Sequence, residues 1–210
     1  MYEKNLIMEN SLKKIQNPVI LEFGVNRGHS SKRFLEHITN FGGDIFSIDI
    51  NDCSKVISSN KWNFFQCNDL DIDKIVERFP KLKQGIDFLY IDSYHDPSHV
   101  KTLLDRWFIY IKKNGFIYLD DIESYLYRIR KKTLLSILDD GINKEIINFY
   151  HSNYDQLICN MYFKGSGLAE LVKLSEMGTK ADTKKIWSYN IFFAGIYLFL
   201  KKLKFKYFKN

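Results

Sequence analysis

Five short apolar runs, at residues 19–23, 44–49, 62–67, 86–92 and 115–120, recur along the first 120 residues of the chain. Helix-length stretches separate most of them, and each run closes on or beside a carboxylate. Strand-length runs alternating with helical patterns imply a parallel sheet covered by helices on both faces. In such sheets ligands bind outside the carboxyl ends of the strands, where the strand order reverses. Those ends carry Glu22 and the loop 24–28, then Asp49, then Asn68 and Asp69, then Asp92 with Ser93, Tyr94 and His95, and last Asp120 and Asp121. One acid at such an edge means little, whereas five in register point to a site.

The intervening stretches have helical punctuation. Phe34, Leu35 and Ile38 share one helical face that stops at Gly42 and Gly43, and Asp96-Pro97 is a natural helix entry with Gly115 beyond its end. Residues 124–140 read as a further helix. Residues 144–150 and 157–163 read as an antiparallel hairpin closing the sheet, with HSNYDQ between them. The expected fold is α/β, a doubly wound, mostly parallel seven-stranded sheet with a terminal antiparallel hairpin. It would occupy residues 1–164, and residues 165–210 would form a C-terminal extension that begins as a linker with one short helix.

With 210 residues the chain has room for one sizeable core. Its formal charge of +6 is unevenly placed: residues 184–210 hold seven lysines and no acid, which leaves 24 basic against 25 acidic residues before them. A body of net charge −1 argues against nucleic acid as partner. Residues 186–200 carry no charge and precede the lysine-rich KKLKFKYFK, too short a run to span a bilayer. That tail suits either contact with an anionic membrane surface or packing on the domain or a second copy of the chain. Cys53, Cys67 and Cys159 are odd in number, far apart and without a C-x-x-C pair, as expected of free thiols in a reducing compartment. The acid-containing N-terminus places Leu6, Ile7, Leu12 and Ile15 on a helix face and does not read as a secretory signal. The expected location is cytoplasmic, with the tail allowing peripheral contact at the inner membrane surface.

Glu22-x-Gly24-x-x-x-Gly28 permits a tight strand-to-helix turn and close approach of backbone to a ligand. The dinucleotide pattern G-x-G-x-x-G is not met, because position 26 is Asn and position 29 is His, and no G-K-[ST] follows for a phosphate-binding loop. An acid two residues before the first glycine suits a ligand with a cationic amino group, and Asp49 suits ribose hydroxyls. A glycine turn with no ligand is the competing reading.

The runs ILEFGVNRGHSS, FSIDIND and FFQCNDLD resemble the first three motifs of class I S-adenosylmethionine-dependent methyltransferases. IDFLYIDSYHDPSHVKTLLDRWFIYIKKNGFIYLDDI is similar to the second half of the same Rossmann-like core, closest to small-molecule and sugar O-methyltransferases. The resemblance covers roughly residues 15–164. It implies that Glu22 and the loop from Gly24 to Gly28 hold the methionine part of the cofactor, that Asp49 binds its ribose, and that Asp69 sits beside its adenine amino group. Asn26 departs from the pattern, since many members have a third glycine there.

Methyl transfer to a hydroxyl requires the alcohol to be polarised or deprotonated, which a divalent metal or a general base can do. Asp92, Asp120 and Asp121 end adjacent strands, and oxygen donors of this kind favour Mg²⁺ over zinc. The resemblance to metal-dependent O-methyltransferases implies acidic ligands at these positions, while the competing reading has Asp120 and Asp121 merely capping a strand. His95, three residues after Asp92, is read as the general base, with a place beside the metal or an ordinary loop position as alternatives. His95 and Asp92 are thus the expected catalytic pair. His99 lies four residues from His95, but Pro97 between them argues against a shared zinc. Tyr94, Glu123 and Tyr125 are expected to line the acceptor pocket. The function expected is methyl transfer to a hydroxyl of a sugar or glycoconjugate precursor, in a protein that suits homo-oligomer formation. The alternatives are a non-catalytic nucleotide-binding or membrane-scaffolding protein and an NAD-dependent oxidoreductase.

Overall fold

The computed structural model describes residues 2–122 and 134–183. The elements run α1 (Tyr2–Leu12), β1 (Val19–Phe23), α2 (His29–Phe41), β2 (Asp44–Asp49), β3 (Trp62–Gln66), α3 (Ile72–Arg78), β4 (Ile86–Ile91), α4 (Pro97–Trp107), β5 (Ile111–Asp120), α5 (Leu134–Ser152), β6 (Leu157–Tyr162) and β7 (Leu168–Lys173). They form one seven-stranded sheet of order β3-β2-β1-β4-β5-β7-β6. β1 to β5 are mutually parallel, and β7 runs antiparallel to both of its neighbours.

β1 is buried along its whole length, as a central strand covered on both faces must be. On one face Met8 and Leu12 of α1 and Phe34 and Ile38 of α2 pack on Ile20, Ile45, Phe88 and Tyr118. On the other, α3, α4 and α5 bring Ile75, Leu103, Trp107 and Ile146 onto Leu21, Phe23, Leu89 and Ile117. α4 begins as its sequence announces: Pro97 sits in the first turn, and the Asp96 side chain accepts from the Ser98 and His99 backbone N–H groups. The order reverses between β1 and β4, and there the backbone is drawn tight. Gly24 N–H donates to Ile48 O and Asp92 N–H to Phe23 O, both at 2.9 Å.

Two expectations are corrected. Residues 144–150 are not a strand but the second half of α5, because Ile142, Ile146 and Phe149 recur at helical spacing and are all buried. The strand that completes the sheet comes instead from the stretch read as a linker with a helix. β7 inserts between β5 and β6 with Leu168, Ala169 and Leu171 buried, so the sheet extends past residue 164 to Lys173. The hairpin turn lies between Tyr162 and Leu168, where Gly165 and Gly167 both take positive φ. The helix expected at 124–140 falls within α5 from Leu134; its earlier part, Glu123, Tyr125 and the 184–210 tail lie outside the described residues. No helix among the described residues is long and apolar enough to cross a membrane. Cys53, Cys67 and Cys159 are free thiols.

Candidate active site

A cleft of about 1040 Å³ opens at the carboxyl edge of the sheet. Gly24, Asp49, Asp69, Asp92, His95 and Asp121 all line it, so the ends of five strands do converge on one space. Its floor is the turn after β1. A Cβ on Gly24, whose φ is +90°, would stand 2.0 Å from Asp92 O, which leaves no room for a side chain. Asn26 has φ 47°, a left-handed conformation that asparagine tolerates better than most residues. The departure from glycine at position 26 therefore keeps the backbone shape that a glycine would supply.

Asp49 shapes this turn. Its Oδ2 accepts from the N–H groups of Val25 at 2.8 Å and Asn26 at 3.1 Å, and its Oδ1 from that of Asn51 at 2.9 Å. Burial alone would raise its pKa, but these backbone donors outweigh burial and hold the carboxyl below its ordinary range. Asp49 thus stays anionic at the cleft wall while fixing the loop beside it.

Glu22 is found elsewhere than expected. It is fully buried beneath the turn, and its carboxylate accepts from Ser30 Oγ (2.5 Å), Ser31 Oγ (2.6 Å) and Ser47 Oγ (2.6 Å). It joins β1, β2 and α2 and is absent from the cleft wall, so contact with a ligand amino group is corrected to a supporting position. Gly28, with φ +70°, also lies off the wall; a Cβ there would meet Val56 at 2.5 Å. Burial raises the Glu22 pKa above 4.5 against the opposing pull of the three serine hydroxyls. A carboxyl raised in this way contributes stability that is present below pH 4.5 and lost as pH rises through its folded value. Glu22→Gln has no such proton to lose, so its stability relative to the native protein is expected to improve with rising pH above 4.5. Chemical denaturation at a series of pH values measures the difference, and a pH-independent difference would contradict the burial argument.

The acidic end of the cleft is rearranged as well. Asp92, His95 and Asp121 each offer a ligand atom, all within 4.8 Å of one another. His95 Nε2 lies 3.7 Å from Asp92 Oδ1 and 3.8 Å from Asp121 Oδ2. Asp120 does not join them and does not line the cleft: Lys4 of α1 pairs with it, and the Tyr90 hydroxyl donates to it at 2.8 Å. Of the expected trio, Asp92 and Asp121 therefore face the cleft together with His95 beside them, and Asp120 is drawn away. Lys4 also donates to Ser166 Oγ at 2.6 Å and lies 3.6 Å from Asp121. Asp121 has φ 54°, a conformation that costs a non-glycine residue energy and recurs at functional sites. Burial first, and then the charges of Asp120 and Asp121, push the Asp92 carboxyl up to about 7. Such a cluster carries more negative charge than Lys4 neutralises. Two carboxylates open to the cleft, with an imidazole beside them, fit a hard divalent cation that keeps part of its water.

In the same cleft Asp69 accepts from Ser93 Oγ at 2.6 Å and from His99, and Tyr94, 70% exposed, lines the wall between Ser93 and His95. Lys4 and the roles of Ser93 and His99 escaped sequence reasoning, since each acts on a partner 24 to 116 residues away. Ser30 and Ser31 had a local signal: adjacent hydroxyls just after the glycine turn.

A family model described as a methyltransferase domain matches residues 21–122. No curated protein matches the chain in sequence. Among solved structures, the MycE methyltransferase of the mycinamycin biosynthetic pathway, in complex with Mg, S-adenosylhomocysteine and mycinamycin VI, is 20% identical with a TM-score of 0.53. That match covers 83% of this chain and 48% of MycE, so the chain spans about half the length of that relative. The S-adenosylhomocysteine-bound Podospora anserina methyltransferase PaMTH1 is 13% identical with a TM-score of 0.62, over 81% of this chain and 77% of that one. A Staphylococcus aureus protein provisionally assigned as a caffeoyl-CoA O-methyltransferase is 16% identical with a TM-score of 0.58, over 80% of each chain. At these identities the likeness is one of fold.

Proposed function

We propose that this chain, which matches a methyltransferase-domain model over residues 21–122, is a class I S-adenosylmethionine-dependent methyltransferase that methylates a hydroxyl of a sugar or glycoconjugate precursor with the help of a divalent cation such as Mg²⁺. The observation that carries the reading is the meeting of Asp92, His95 and Asp121 in the same cleft as Gly24, Asp49 and Asp69. An acceptor site and a cofactor site then share one space of adequate size for both. When bound, S-adenosylmethionine supplies an electrophilic methyl on a sulfonium, and the cation supplies polarisation of the acceptor oxygen.

The chain's own groups do the rest. The Gly24 turn gives the cofactor close access to backbone, and Asp49 receives the ribose hydroxyls. Asp92 and Asp121 would hold the cation, while Lys4 keeps Asp120 paired. His95 would take the acceptor hydroxyl's proton on Nε2, leaving the oxygen free to accept the methyl group that the cofactor would supply. The mixture of carboxylates with the exposed Tyr94 ring suits a polyhydroxylated acceptor. The test is calorimetry with S-adenosylmethionine and S-adenosylhomocysteine, with and without Mg²⁺, followed by mass analysis of a panel of sugar nucleotides and glycosides. Binding of both cofactor forms and addition of one methyl to a hydroxyl are expected. Failure to bind either form removes the reading, and methyl transfer only to an amine overturns the acceptor class.

A further inference from the structure

His99 holds a position that neither catalysis nor packing accounts for. Its Nε2 lies 3.0 Å from Asp69 Oδ1 and 3.1 Å from Oδ2, and its side chain is almost covered. The other end of Asp69 is held from the same helix: Trp107 Nε1, fully buried, donates to Asp69 O at 3.1 Å. His99 and Trp107 are eight residues apart, so α4 presents both along one face. The imidazole is itself fixed. Asp96 caps the helix through the His99 backbone N–H at 3.0 Å, and the Tyr94 ring packs edge-on at 5.6 Å.

Asp69 is thereby clamped at backbone and carboxylate, with Ser93 as a further donor. An ionised carboxylate offers about four lone-pair sites and no donor. With donors from Ser93 and His99 in place, Asp69 retains the capacity to accept from a ligand in the cleft it lines. It can reward a donating group there and penalise an accepting one. The exocyclic amino group of adenine donates, whereas the carbonyl at the same position of hypoxanthine accepts.

We propose that His99 is a positioning residue for the nucleobase: by orienting Asp69 it gives the cleft its preference for a 6-aminopurine over a 6-oxopurine. This rests on the cofactor reading above. The test compares S-adenosylhomocysteine with S-inosylhomocysteine by calorimetry, using the full chain. The native protein is expected to favour the adenine form roughly 10- to 100-fold, the range of one hydrogen bond to a charged group. His99→Phe keeps a ring but donates nothing, and its preference is expected to fall below about threefold with kcat at saturating cofactor nearly unchanged. His99→Gln, whose amide N–H can donate to Asp69, is expected to retain most of the preference. If His99→Phe does not fold, His99→Leu replaces it, and His99→Gln is read in either case. Native preference in the donor-less variant overturns the proposal, as does equal loss in the glutamine variant. If the native protein binds neither ligand, the cofactor reading itself has failed.

Discussion

Replacing His95 with glutamine is expected to lower turnover by about 10²- to 10⁴-fold, the usual worth of a positioned general base. The loss should fall on kcat alone. Asp49 and Asp69, which line the cleft where the cofactor is proposed to bind, are untouched, so S-adenosylhomocysteine affinity should stay near the native value. Asp92 and Asp121 still offer both carboxylates, so Mg²⁺ affinity should stay as well. The 3.7 and 3.8 Å separations between His95 Nε2 and these two acids leave the ring beside them without a direct hydrogen bond. Rapid-quench turnover with parallel titration of metal and cofactor separates the outcomes. A variant that loses Mg²⁺ affinity along with turnover would make His95 a ligand and leave the base to be found elsewhere.

The second large effect is expected at Asp49. Asp49→Ala removes an acceptor from three backbone N–H groups at once and removes the proposed ribose contact in the same step. Hydrogen bonds to a charged group are worth about 1.5–3 kcal/mol each. Water replaces part of that in the variant, so S-adenosylhomocysteine affinity should fall roughly 10²- to 10³-fold, about 3–4 kcal/mol. Asn26, held at a left-handed φ, should be the first residue to relax. Asp49→Asn should fall between the alanine variant and the native protein. Its one amide oxygen can serve Val25 and Asn26, but its NH₂ group then meets the Asn51 N–H. Calorimetry on the three proteins checks the order, and equal affinity in all three would show that the turn holds its shape unaided.

The parallel half of the fold was legible because each buried strand is a compact apolar run with its acid at one end. Asp49, Asp69, Asp92 and Asp121 reached the cleft for the same reason: a residue at the end of a parallel strand is carried to that edge by the register. At the antiparallel end the hairpin and its strand at 157–163 were legible, but the partner strand was not. LAELVK has the composition of a helix and becomes a strand because β5 and β6 pair with both of its edges. EIINFY has the composition of a strand and is helical because its buried positions recur every three or four residues. Glu22 resembled a ligand contact from its distance to Gly24, but spacing cannot show three serines closing over it. The pairing of Lys4 with Asp120 spans 116 residues, and no local pattern announces such a contact. What failed were the judgements that depend on which surface a neighbour covers.

The placement of β7 bears on how the chain is made. During synthesis from the N-terminus, β1 to β5 can assemble as a parallel unit once residue 120 is available. β6 is made next but has no strand to pair with, since its sole neighbour in the sheet is β7. Until Lys173 has left the ribosome, β5 presents an open edge and β6 waits as an unpaired apolar segment, the kind of surface that invites mispairing. Acquisition of the last strand should therefore be the committing step of folding. A nascent chain stalled before residue 168 should be protease-sensitive at β6 while β1 to β4 are already protected.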